Sequence, residues 1–151
     1  MDRIQAIEDR IEIEELMHRY ARMVDERDWK RMDEVFAPDA TIDYRSTGGQ
    51  AGPYRETLAW LARALEPWPL NLHFITNLSI ELDGDRARSR CYFHAQHTRR
   101  GLPGGANYVV AGIYRDAWTR TPAGWRIHAR ELTVLWTEGN AAVVGRVPEG
   151  P

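Results

Sequence analysis

An α+β fold is predicted, on three observations. Helical periodicity is confined to the first 65 residues, and alternation of period two takes over from Leu70. Turn clusters then recur at hairpin spacing, as in DGD, GLPGG and TPAG. Helices first and a strand meander after them give a curved, mostly antiparallel sheet with helices on one face.

The elements follow in order. Ile4, Ile7, Ile11, Met17, Tyr20, Ala21 and Val24 recur at three- and four-residue steps, which predicts an amphipathic helix over about Asp2 to Val24 with those residues inward. Asp28 is placed to cap a second, short helix, WKRMDEVFA, with Trp29, Met32, Val35 and Phe36 on its apolar face. Pro38 ends it. ATIDYRS reads as a short strand and TGGQAGP as a turn. A third helix follows Pro53, with Leu58, Leu61, Ala62 and Leu65 on one side, and stops before PWP. Four strands come next: LHFITNLSIEL, ARSRCYFHAQHTRR, ANYVVAGIYRDAWTRT and GWRIHARELTVLWTE. Residues 1–140 form one domain, and 141–151 are read as a loose tail.

Composition narrows the function. The chain has 151 residues, 43% hydrophobic and 28% charged, with a net charge of −2 and no basic cluster. That balance argues against a nucleic-acid surface. The charged N-terminus has no apolar signal core, and no run reaches the roughly 20 residues needed to span a bilayer. A cytoplasmic protein is expected. Cys91 is the single cysteine and reads as a small core residue. Six Trp and six Tyr suit a large core, an apolar pocket or a subunit interface.

In the first long strand Leu72, Phe74, Leu78, Ile80 and Leu82 share one phase, and His73, Ile75, Asn77 and Ser79 the other. Neither phase is strongly charged. One face is therefore expected to line a partly polar cavity and the other to meet a neighbouring subunit, with a single bulge able to reverse the assignment. His73 is either a packed core histidine or a proton carrier. His94 and His97 lie three apart on the next strand, so one of them faces a given cavity. Asp25 ends the first helix, as a solvated acid or as the carboxylate that orients an imidazole. Tyr20 and Tyr44 are core aromatics or a pair of phenols that hold a substrate oxygen or a water. Arg130 is a surface strand arginine or a holder of an anionic oxygen or leaving group. No HxH or HxxxH pair is present, and no metal or other cofactor is expected. A phosphate loop and a GxSxG are likewise absent.

Taken in order, DERDWKRM, APDATIDYRS, LHFI, the histidine of QHTRR and GWRIH resemble the scytalone dehydratase branch of the NTF2-like (SnoaL-like) superfamily. The resemblance implies a cone-shaped α+β barrel with a deep pocket, cofactor-free lyase chemistry and a homo-oligomer, usually a trimer. It implies proton transfer at His73, a His97–Asp25 pair, and a water-holding tyrosine at Tyr44. The family's second such tyrosine falls at Val24, one turn from Tyr20. Its substrate-contacting serine and asparagine fall near Val110 and Gly112, which carry no polar side chain. Bile-acid dehydratases are similar at Tyr20, Asp25 and His73. Hexachlorocyclohexane dehydrochlorinases are similar at Asp25, His73 and Arg130.

The combined expectation is an elimination on a small cyclic, mostly apolar substrate. His73, Asp25, Tyr20, Tyr44 and His97 are its catalytic candidates. Arg130, His94, Asn77, Val110 and Gly112 are its substrate-binding candidates. The same fold also hosts isomerases and cyclases whose base is a carboxylate, here Asp25, and non-catalytic oxygenase small subunits.

Overall fold

The computed structural model describes residues 2–67 and 70–145. Helix α1 spans Arg3–Asp25. A 3-10 turn, Trp29–Glu34, leads into strand β1, Phe36–Asp43. Strand β2, Ala51–Pro53, and helix α2, Tyr54–Leu65, come next. Strands β3 (Leu70–Asp83), β4 (Arg86–Thr98), β5 (Asn107–Thr121) and β6 (Gly124–Gly139) complete the sheet.

Among the described residues these six strands form one open sheet in the order β2-β1-β6-β5-β4-β3. Every neighbouring pair is antiparallel except β1 with β6, which is parallel. The α+β class is as predicted. The expected closed cone is instead an open mixed sheet with β2 and β3 at its edges. The expected second helix is only a six-residue 3-10 turn. Asp28 makes no capping bond there and pairs with Arg31 at 3.4 Å instead. Val35 and Phe36 leave the turn for the sheet, where the Ile127 N–H donates to the Val35 carbonyl at 2.8 Å. Pro38 therefore lies inside β1, in the stretch between Phe36 and Thr41 where the register with β6 shifts. A residue without an N–H is tolerated where ladder pairing lapses.

Helix α1 buries a different face from the one predicted at its start. Ile4, Ile7 and Ile11 point outward, at 65%, 50% and 56% exposure. The inward positions are Asp9, Ile13, Leu16, Met17, Tyr20 and Val24. Asp9 decides the rotation. Its carboxylate accepts two hydrogen bonds from Arg120, at 2.8 and 2.7 Å, and one from Trp125 Nε1 at 3.1 Å. A carboxylate on the inward face is tolerated only because these donors satisfy it.

Strand β3 contains a phase reversal, which decides the face assignment that the sequence left open. Its register with β4 shifts between Thr76 and Ser79, and Asn77 adopts φ +54°. Before the bulge Asn71, His73 and Ile75 turn inward. After it Leu78, Ile80 and Leu82 do. Leu72 and Phe74 consequently face outward, at 43% and 52% exposure. The apolar core fills the space between the inner face of the sheet and the two helices. Trp118, Trp125, Tyr114 and Phe36 are fully buried there, and each such side chain contributes about 1.5–3 kcal/mol. Cys91 is in this core as expected. Past β6, Ala141–Val144 form a 3-10 turn with Val143 buried. The rest of the predicted tail, 146–151, and the Trp68-Pro69 part of PWP lie outside the described residues. Among the described residues no helix is long and apolar enough to cross a membrane.

Candidate active site

A cavity of about 340 Å³ opens between α2 and the inner face of the sheet. Tyr20, Tyr44, His73, His97 and Val110 all line it. Most of the remaining wall is apolar, including Trp60, Phe93, Tyr114 and Leu132. Such a lining suits a largely apolar ligand oriented by a few polar groups.

His73 and Asp25 form a tight pair. His73 Nδ1 lies 2.6 Å from Asp25 Oδ1, and the His73 backbone N–H donates to Asp25 Oδ2 at 2.9 Å. The local fold explains both bonds. β3 is an edge strand, so an N–H on its open side has no neighbouring strand to meet. Asp25 ends α1, where the negative end of the helix disfavours a carboxylate. The two donors offset that cost and lock the side chain. Since a carboxylate only accepts, Nδ1 carries the proton and Nε2 keeps its lone pair. The His73 side chain is 9% exposed, at the cavity wall.

Tyr20 and Tyr44 meet hydroxyl to hydroxyl at 2.5 Å. Burial is the main cause that pushes both phenols above their usual range, with Arg130 acting in the opposite sense. They therefore stay protonated. One donates to the other, and Tyr20 also shares a hydrogen bond with the Tyr114 hydroxyl, so the three phenols form one network at the cavity wall.

Arg130 is neither at the surface nor at the cavity wall. It is buried, with Nε 2.7 Å from Asp116 Oδ1 and Nη2 2.9 Å from Oδ2. Its guanidinium lies over the rings of Tyr20 and Tyr114, at 4.2 and 4.3 Å from their centroids. It backs the phenols from the core, which corrects the expectation of a surface arginine.

The two histidines of β4 separate as the pleat requires. His97 faces inward, and its Nδ1 lies 2.6 Å from the terminal amide of Asn71. Asp25 bonds His73 directly, and its charge also acts on His97, favouring the protonated ring. His94 faces outward against Phe74 and Trp136. Asn77 is exposed at the bulge, away from the cavity. Gly112 lacks a side chain for a packing reason: a Cβ there would lie 2.0 Å from the Thr133 carbonyl oxygen. It marks close strand approach at a bulge opposite β6, not a substrate contact. Of the expected substrate-binding residues, only Val110 reaches the cavity. Sequence reasoning missed Asn71, Tyr114 and Trp60. Tyr114 and Trp60 gave only the general aromatic signal, and Asn71 gave none.

Comparison with known proteins agrees with this architecture. The sequence pattern of the SnoaL-like domain matches residues 5–131. An uncharacterized protein of Mycobacterium tuberculosis is 38% identical over 131 residues, which is 86% of this chain and 88% of that relative. A crystal structure of a Kribbella flavida protein superposes with a TM-score of 0.82 at 30% identity, over 93% of this chain and 99% of that one. A hexachlorocyclohexane dehydrochlorinase from Novosphingobium barchaimii has the same fold, with a TM-score of 0.78 at 17% identity, over 99% of this chain and 100% of that one. The chain belongs to the SnoaL-like domain family of the NTF2-like superfamily.

Proposed function

We propose that this protein is a cofactor-independent lyase that eliminates a proton and a leaving group from adjacent carbons of a small cyclic, mostly apolar substrate. The observation that carries the reading is the 2.6 Å His73–Asp25 contact at the cavity wall. His73 Nε2 takes the proton from carbon. The electron pair left behind moves towards the neighbouring carbon and expels the leaving group. Asp25 stabilises the imidazolium through the Nδ1–H bond. The Tyr20–Tyr44–Tyr114 phenol network donates to an oxygen as it gains negative charge, a role that costs about 10²–10³ in rate when such a donor is removed. The apolar wall excludes water.

The carboxylate-base alternative is disfavoured because both Asp25 oxygens are engaged by His73 and the side chain does not line the cavity. A thermal-shift screen of cyclic alcohols, ketones and steroids supplies a substrate. With it, His73→Ala is expected to keep the fold and lower turnover by at least about 10²–10⁴. Asp25→Asn lowers kcat while leaving residual base catalysis. If His73→Gln stays active and Asp25→Asn is dead, the isomerase or cyclase reading replaces this one.

A further inference from the structure

The Asn71 side chain, only 2% exposed, lies between two groups with opposite demands. On one side is the Arg27 guanidinium, which has donors only. The amide oxygen must therefore face Arg27, where it accepts from Nη1 at 2.6 Å and from Nη2. The amide nitrogen then faces His97 Nδ1 at 2.6 Å and donates to it.

Arg27 is held firmly in this position. Its backbone takes φ +61° directly after α1. Its Nη1 also donates to the Val24 carbonyl at 2.8 Å, and its Nη2 to the Leu65 carbonyl at 3.1 Å. One guanidinium thus ties the ends of α1 and α2 to the amide beside His97. Both carbonyls belong to helix ends, and that of Val24 also accepts from the Arg27 backbone N–H at 3.2 Å.

An imidazole nitrogen that accepts a hydrogen bond carries no proton, so a neutral His97 bears its proton on Nε2. His73 is the mirror case. Its Nδ1 donates to Asp25, leaving Nε2 as the basic nitrogen. The two rings are 6.1 Å apart, nearly perpendicular, at the wall of the same cavity.

We propose that Arg27 and Asn71 are positioning residues that lock His97 as a neutral hydrogen-bond donor, in the tautomer opposite to that of the basic His73. Burial, the nearby His73 and the Arg27 charge oppose protonation of His97 and outweigh the Asp25 charge, which favours it. A neutral neighbour lets His73 accept a proton without like-charge repulsion. A fixed N–H beside a base places acid and base functions side by side. The role in turnover rests on the elimination reading, whereas the tautomer does not.

The test is long-range ¹H–¹⁵N NMR of histidine-labelled full-length protein, with the His97 resonances assigned through His97→Gln. The wild-type protein is expected to show a pyridine-like Nδ1 and a protonated Nε2 on His97 between pH 5 and 8. A protonated Nδ1, or an imidazolium pattern in that range, overturns the proposal. Asn71→Asp replaces the donor by a carboxylate of the same size. It is expected to move the His97 proton to Nδ1 or to charge the ring, and an unchanged tautomer also overturns the proposal. Neither readout depends on activity. A correct tautomer in a protein whose His73→Ala variant still turns over would therefore sink the elimination reading alone.

Discussion

Tyr20 and Tyr44 share one hydrogen bond, and their energetics should reflect that. Because both hydroxyls belong to one network that also includes Tyr114, removing either disables the same donor. Tyr20→Phe and Tyr44→Phe are each expected to lower kcat by about 10²–10³, and the double variant by little more than either. Effects that multiply in the double variant would mean two independent donors. The residues of this pair were legible as candidates because both are tyrosines at apolar-stripe or strand positions. Their mutual contact was not legible, because nothing in a sequence specifies which side chains meet across 24 positions. Asp25 and His73 were legible in the same limited sense. The direct bonds of Asp25 to His73 were not legible, because they depend on the edge-strand N–H at His73 drawing the carboxylate towards β3. Arg27 left no trace: a positive φ is normally signalled by Gly, Asn or Asp, and an arginine there gives no hint of it.

At the scale of single elements, β3 shows why one residue matters. Asn77 absorbs the extra residue of the bulge in a left-handed conformation, so side chains on both sides of it can reach the core. Asn tolerates that conformation better than most residues, and Gly adopts it without strain. Asn77→Val is expected to cost about 1–3 kcal/mol in urea unfolding, and Asn77→Gly almost nothing. Equal midpoints for the two variants would show that the bulge does not need this conformation. Strand periods and hairpin turns from Leu70 onward were readable because alternation is a local property. The reversal within β3 was left open, because Asn77 in TNLS marks a left-handed position only weakly inside a strand. Helix α1 shows the converse. Its period was clear, yet it carries isoleucines on two faces, and the choice between them depends on Arg120 and Trp125, more than 100 residues away.

For the whole molecule, two buried groups govern acid stability. The Arg120 hydrogen bonds, against the opposing effect of burial, hold the Asp9 carboxyl at about 2, below its usual 3.8. The stability this adds is complete above about pH 3.8 and is lost as pH falls through about 2. His97 acts higher up. Burial first, then the His73 and Arg27 charges, keep it from protonating until about 3, while the unfolded chain takes up that proton near 6.5. Here too the unfolded state binds the proton first, so stability falls as pH drops from about 6.5 towards 3. Tm is therefore expected to decline across that range in the wild-type protein and to flatten in His97→Gln. Asp9→Asn is expected to lower Tm at pH 7 and to have little effect near pH 2. An unchanged Tm slope in His97→Gln would remove the histidine from this account. The parallel pairing of β1 with β6 has a consequence for biosynthesis. Phe36 meets Ile127 and Ile42 meets Arg130, so an early strand waits for nearly the last one to leave the ribosome. Until then β1 has only its local hairpin with β2, where the Tyr44 N–H donates to the Gln50 carbonyl at 2.9 Å. Such distant pairing slows folding to the millisecond-to-second range. A stalled chain ending before Gly124 should stay protease-sensitive throughout and draw chaperones.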